Sequence, residues 1–357
     1  MEYFKLGVDL GRSEIRLHDG TTTAFPALLG GPVTKLRRRA LSPEEFERNL
    51  SVRYGEKTYS LGRLSLHQPF LFPLGVQDFA SELNLVLLLG ALGLYAQQQG
   101  AQEPHFELCL GVPVALSQHQ ATLDELEAWQ TTHSIELSGT PMEIHIDKIE
   151  WMSQPLGSLY TALLNGQLDL DPEEDPLVGI LDLGYASASW MIAQLPEELP
   201  QYSGCLTSIA GGRLLDALSQ ELPPGTQLNP LAALQALQTG IYGNLEIPQA
   251  PQEELLDLMA QQIALTVRQR WADLPLRQIL VTGGLGERLF ERLQQTPFLS
   301  EAILSENPRE ANVIGFHEYL HLDEASEENE ESEEDEIREE IGEIGETENV
   351  EEQSVEA

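Results

Sequence analysis

Gly7-Val8-Asp9-Leu10-Gly11 and Ile180-Leu181-Asp182-Leu183-Gly184 carry one pattern at two places in a chain of 357 residues. In each, an apolar strand ends on Asp, one apolar residue and Gly. In each, a short turn leads to a further strand, predicted over 15–18 after the first copy and 188–194 after the second. Gly permits a tight hairpin whose backbone N–H groups can approach a phosphate closely. The Asp is placed to hold a hydrated Mg²⁺, a hard cation that takes carboxylate and water oxygens. One Asp-x-Gly alone reads as an ordinary β-turn. Two at matching strand ends, one per half of the chain, predict a duplicated fold whose hairpins grip phosphates from both sides of a cleft. A third stretch, Ile279-Leu280-Val281-Thr282-Gly283-Gly284, is a strand that stops at a tight Gly-Gly turn before a helix predicted over 287–295. Backbone at such a turn can pack against an adenosine moiety.

Around these stretches the chain alternates strands with helices, the pattern of a layered α/β protein. Strands are predicted over 4–10, 106–112 and 143–151, the last alternating Ile144, Ile146 and Ile149 with polar residues. Residues 22–29 read as extended, and 51–54 and 57–61 flank Gly55-Glu56 as a hairpin. Helices are predicted over 81–98, 122–130, 155–164, 213–220 and 253–271, with Pro155 in a first turn, where proline is tolerated. Residues 167–176, acidic and bearing two prolines, mark a candidate boundary between two lobes. The length fits about two domains.

Charge excludes one class of partner. The chain holds 20 basic and 58 acidic residues, a net of −38. Residues 323–357 alone hold 18 acids and the single base Arg338, leaving 40 acids and 19 bases before them. Both parts are acidic, so direct nucleic-acid binding is not expected, because phosphate backbones reward clustered Lys and Arg. Lys35, Arg37, Arg38 and Arg39 form the one short basic run and read as a solvated loop. Two cysteines, Cys109 and Cys205, make neither a disulfide framework nor a zinc site, which points to a cytoplasmic setting. The longest apolar run, 83–95, is short of the roughly 20 residues a membrane span needs, so no span is expected. The Glu-rich end cannot bury enough apolar surface to offset ordering entropy and is expected to stay disordered.

Taken in order, the two Asp-x-Gly hairpins and the Gly-Gly turn resemble the phosphate loops and adenosine loop of the actin/Hsp70/sugar-kinase superfamily. Shorter stretches are similar to the ParM/StbA-type and archaeal actin-like branch: Phe25-Pro26-Ala27-Leu28-Leu29-Gly30, Tyr59-Ser60-Leu61-Gly62, Leu110-Gly111-Val112-Pro113 and Asn312-Val313-Ile314-Gly315-Phe316. The resemblance covers roughly residues 4–320. It implies an actin-like (ribonuclease H-like) duplicated two-lobe fold with central mixed sheets and an ATP cleft. Lobe I would span 1–152, completed by about 305–321, lobe II 153–304, and the acidic tail 322–357.

The resemblance also implies site residues. Asp9 and Asp182 would hold Mg through water. Gln154, where the first lobe leads into the second, would orient the attacking water, which matters because in-line phosphoryl transfer depends mainly on positioning and charge stabilisation. Gly11, Arg12, Ser13, Arg16, Gly184 and Ser187 would contact phosphate. Gly283 and Gly284 would contact adenosine, and Gly211-Gly212-Arg213 would bring a helix N-terminus near the anion. Both phosphate loops depart from the family pattern. Tyr185 replaces a small residue of the second loop and Ser189 stands where a second Asp is expected; Glu14 sits close to the first loop, and Arg16 occupies a place where Lys is common. The implied function is a Mg-ATP-dependent filament-forming ATPase that self-associates, with an adapter as a further partner. A degenerate, non-filamentous scaffold or switch is the alternative, and a small-molecule kinase a third.

Overall fold

The computed structural model describes residues 2–31, 50–67, 72, 78–168, 170, 175–194, 197–223, 236, 239–242, 244–247 and 249–322. The basic run at 35–39, part of the acidic segment at 167–176 and the Glu-rich end lie outside them.

The first sheet has nine strands: β1 (Glu2–Leu10), β2 (Glu14–His18), β3 (Thr22–Pro26), β4 (Leu29–Gly30), β5 (Ser51–Tyr54), β6 (Lys57–Leu61), β7 (Pro104–Val112), β8 (Thr132–Leu137) and β9 (Thr140–Ser153), in the order β3-β2-β1-β7-β9-β8-β5-β6-β4. The second sheet takes β10 (Leu177–Leu183), β11 (Ala188–Gln194), β12 (Glu197–Glu198), β13 (Gly204–Leu206), β16 (Leu276–Thr282) and β17 (Ile303–Leu304), in the order β12-β11-β10-β16-β17, with β13 also on β11. A small hairpin, β14 (Ile241–Tyr242) with β15 (Leu245–Glu246), stands apart.

The repeat in the sequence is a repeat in the topology. Each sheet opens with an antiparallel meander, and each then adds two parallel strands, β7 and β9 in the first, β16 and β17 in the second. The carboxyl-terminal halves of β1 and β7 and most of β10 are buried on both faces because helices cover both faces of the sheets. On the outer face of the first sheet lies α1 (Glu82–Gln99), whose residues 84–96 are all buried. Ser81 caps its start and left-handed Gly100 its end. The short α2 (Gln120–Glu127) follows β7. The outer core of the second sheet is covered by α4 (Gly212–Glu221), α5 (Ala250–Trp271) and α6 (Gly286–Gln294).

Two helices fill the space between the sheets. One, α3 (Gln154–Leu164), continues directly from β9; the other, α7 over residues 311–322, follows β17. They share a core of Leu156, Leu159, Phe316 and Leu320 with Cys109 of β7 and Val178, Ile180 and Leu280 of the second sheet. The two helices meet backbone to backbone at Gly157 and Gly315, where a Cβ on Gly315 would sit 1.8 Å from the Gly157 carbonyl oxygen. Behind β1, a Cβ on Gly7 would meet the Val313 carbonyl oxygen at 2.3 Å, so α7 lies flat on the first sheet.

Expected and observed elements agree to within a few residues for the strands and helices above, with one omission of consequence. The strand β8 pairs with β9 through Ser138 and Gly139, both at positive φ. Its alternation is short and one inward position is taken by His133, so the apolar signal is weak.

Candidate functional site

The carboxyl ends of β1 and β10 face each other across a cleft of about 450 Å³ between the two sheets. Asp9 sits near the end of β1 and Asp182 near the end of β10. The hairpin after each strand lines the cleft: Gly11, Arg12, Ser13, Glu14 and Arg16 on one side, Gly184, Tyr185, Ala186 and Ser187 on the other. The Gly283-Gly284 turn closes a third side, and Gln154 stands at the back.

Asp9 is held by two donors. Gln154 Nε2 donates to its Oδ1 at 3.1 Å, and the Arg16 guanidinium lies 3.4 Å from its Oδ2. Arg16 also reaches Glu14 at 2.6 Å, so the carboxylate that stood close to the first loop in the sequence is neutralised by its own hairpin. Burial pushes the Asp9 carboxyl up from its ordinary value, opposed by Arg16 and the Gln154 amide. Asp182 receives one amide: Asn312 Nδ2 donates to its Oδ2 at 2.9 Å. With burial dominant and Asp9 facing it, its pKa is pushed up to about 6.

Local sequence explains this positioning. Asp9 pairs across the hairpin with Arg16, and Asp182 pairs across its own with Ser189. The two positions are equivalent, so one Asp has a cationic neighbour and the other a small hydroxyl. Gln154 is the first residue of α3 and Asn312 the second of α7, helices that follow equivalent strands. Gly283 adopts φ +84°, and a Cβ there would lie 2.5 Å from the Leu183 carbonyl oxygen and 2.6 Å from Asp182 Oδ1. Only glycine brings this turn against the Asp182 carboxylate.

Arg12 is set deep in the wall. It donates to Asn84 Oδ1 at 3.3 Å and lies 5.9 Å over the Phe79 ring. Burial lowers its pKa to about 10, with Asp78 and Asp9 opposing. On the Gly-Gly side, half-buried Arg288 and exposed Arg309 also line the cleft. Neither carries a sequence signal: Arg288 lies within a helix and Arg309 in the turn that precedes α7. Asn312 was visible as part of a motif, and the parallel with Gln154 becomes apparent only once β9 and β17 are seen to be equivalent.

Most of the expected site residues meet here: Asp9, Gly11, Arg12, Ser13, Arg16, Gln154, Asp182, Gly184, Ser187, Gly211, Gly283 and Gly284. Gly212 and Arg213 are not among the lining residues. The Arg213 side chain is exposed and donates to Asp216 at 3.2 Å. The backbone N–H groups of Gly211 and Gly212 donate to the carbonyls of Gly184 at 3.0 Å and Tyr185 at 2.8 Å. This turn therefore clamps the second hairpin with the amides that the helix N-terminus would otherwise offer to an anion. Among the described residues no group of three or more His, Cys, Asp or Glu side chains is arranged to hold a metal ion directly.

Known proteins give the class. Residues 7–157 match the family described as actin like proteins N terminal domain. The solved structure of actin-like protein Alp7A superposes with a TM-score of 0.75 at 15% identity, covering 93% of this chain and 100% of that one. The archaeal actin homologue Ta0583 in complex with ADP gives a TM-score of 0.71 at 16% identity, over 89% and 99% of the two chains. A 15-stranded ParM filament from Clostridium botulinum gives 0.69 at 20%, over 89% and 99%. No curated protein matches the chain. The protein has the actin-like two-lobe α/β fold, and residues 7–157 of its first half match the actin-like N-terminal domain family. No helix of the described residues is long and apolar enough to cross a membrane.

Proposed function

We propose that this chain is a Mg-ATP-binding actin-like ATPase that assembles into filaments. The observation that carries the reading is the pair of aspartates, buried Asp9 and half-buried Asp182, facing each other at the ends of equivalent strands beneath two hairpins and a Gly-Gly turn. Two carboxylates against one adjacent guanidinium leave room for a divalent cation, and their hard oxygens suit Mg²⁺ held through water. Bound Mg-ATP would supply the phosphoryl group and a cation that spreads its developing charge.

The chain's own residues do the rest. Asp9 and Asp182 anchor the hydrated cation. Gly11, Ser13, Gly184 and Ser187 bring backbone and hydroxyl donors to phosphate, with Arg12 and Arg16 as fixed positive charges. Gln154, already hydrogen-bonded to Asp9, presents its amide to a water in line with the terminal phosphate. Gly283 and Gly284 lie against the adenosine, flanked by Arg288 and Arg309. The lobes divide near 152–153, so closure of the cleft would pass through the start of α3.

Filament formation is supported by the likeness to ParM, which is solved as a filament. Plasmid or cell-content segregation through an adapter would be the cellular use, in the cytoplasm. A non-filamentous scaffold is favoured by one observation: Tyr185 and Ser189 in the second hairpin leave it without the residues the resemblance implies there.

Pelleting and light scattering of the purified protein with Mg-ATP, a non-hydrolysable analogue, ADP or no nucleotide, alongside phosphate release, test this. Assembly with Mg-ATP and phosphate release is expected. Protein that binds nucleotide yet stays monomeric at high concentration would leave the scaffold reading in its place.

A further inference from the structure

We infer that Glu198 is a positioning residue that locks the junction at which Gln154 begins. The inference rests on the role proposed for Gln154. Glu198 lies on β12, the edge of the second sheet, yet its carboxylate reaches the last residue of β9 in the first sheet. The Ser153 hydroxyl donates to Glu198 Oε2, while the neighbouring Ser117 and Ser203 hydroxyls donate to the backbone carbonyls of Val114 and Leu199. Ser117 follows β7 of the first sheet and Ser203 precedes β13 of the second. One partly buried carboxylate of the second sheet thus holds the last hydroxyl of the first sheet's longest strand across the lobe junction.

Ser153 shows why this matters. It is the N-cap of α3, the position where a serine hydroxyl ordinarily accepts from a first-turn N–H. Here it makes no capping bond, although it is only 3% exposed. Pro155 removes one of the first-turn donors, and the hydroxyl turns to Glu198 instead. The next residue, Gln154, turns its amide to Asp9. The two consecutive side chains are therefore pinned in opposite directions, Ser153 to the second sheet and Gln154 to the first. With Glu198 in place the backbone at 153–154 is fixed, and the carboxamide has one aim. Without it Ser153 is free to return to its cap, and the start of α3 shifts beneath Gln154. Charged acceptors make strong hydrogen bonds, which suits a lock at a junction that must bear lobe movement.

The test uses the full chain. Glu198→Ala is expected to lower kcat for phosphate release on the order of tenfold, as misplacing a positioned group does, while nucleotide Kd stays at the wild-type value. Glu198→Gln, which keeps an acceptor oxygen, should recover most of the rate. Ser153→Ala should match Glu198→Ala, and the double variant should be no worse than either. If Glu198→Ala fails to fold, Ser153→Ala carries the same expectations. Unchanged kcat in these variants, in a background where Gln154→Ala lowers it, overturns the assignment. Should the wild type release no phosphate, the ATPase reading fails by itself. The lock is then judged by hydrogen exchange over residues 153–158, which Glu198→Ala should accelerate and which unchanged exchange would refute.

Discussion

The two hairpins are built to one plan and differ at the residue that faces the aspartate. Asp9 looks across its hairpin at Arg16, and Asp182 looks across at Ser189. Each aspartate also takes one carboxamide, from Gln154 at the head of α3 or Asn312 near the head of α7. The difference teaches that duplication fixes the backbone and the amide partner while leaving the charge free to diverge. The first hairpin carries its own counter-charge; the second has none, so its carboxyl is the one on which the proposed cation would act most strongly.

The largest effect is expected from breaking the first hairpin's pairing. Arg16→Ala leaves Asp9 buried beside a second carboxylate and should destabilise the nucleotide-free protein by about 3 kcal/mol, as loss of one partner of a buried ion pair does. Ser189→Ala at the equivalent place should cost about 1 kcal/mol or less, since its hydroxyl is only 3.5 Å from that of Ser187. Denaturant melts of the two variants measure the contrast, and equal losses would break it.

Next comes the pH dependence of the second hairpin. A carboxyl whose folded pKa lies near 6, above an ordinary value of 3.8, binds its proton more tightly folded than unfolded. Its contribution to stability is therefore greatest below about pH 4 and is lost as pH rises through about 6. Asp182→Asn should be more stable than wild type at pH 7 without nucleotide, by up to about 3 kcal/mol, with the gap closing toward pH 4. Affinity for Mg-nucleotide in the wild type should fall below pH 6, because the cation must displace that proton. Parallel pH profiles for both proteins would expose an error in sign.

The carboxamides separate by role rather than by place. Gln154→Ala should slow phosphate release about a hundredfold with little change in nucleotide affinity. Asn312→Ala should instead lose about 1–3 kcal/mol of stability, because Asn312 also accepts from Ser158 and its removal orphans buried groups on both sides. Steady-state kinetics and thermal melts on the pair distinguish the two.

The smallest contrast is steric. A Cβ on Gly11 would sit 2.5 Å from the Glu14 carbonyl oxygen, whereas one on Gly184 would clear the Ser187 oxygen at 3.4 Å. Gly11→Ala should cost about 2 kcal/mol, within the usual range for forced overpacking, and Gly184→Ala well under 1 kcal/mol.

Much of this was legible in the sequence because it is local. Each copy of the Asp-x-Gly pattern, like the Gly-Gly turn, lies within a few residues of the apolar strand that leads into it, so a short window of sequence carries each one. What escaped is long-range. Asn312 meets Asp182 across 130 positions and Ser153 meets Glu198 across 45, and no periodicity encodes such pairs. Arg213 illustrates the opposite failure: a charge next to a Gly-Gly turn looked phosphate-directed, yet at the second position of α4 it points to solvent and pairs with Asp216 one turn on. The two-residue strand β17 is fixed by its place beside β16, not by its own residues.

The most direct test of the central claim is calorimetric titration of ATP into the protein with and without Mg²⁺, repeated on Asp9→Ala and Asp182→Ala. The account predicts one site per chain whose affinity depends on Mg²⁺ and falls sharply in both variants. Equal binding with and without Mg²⁺, or binding untouched by either substitution, would contradict it.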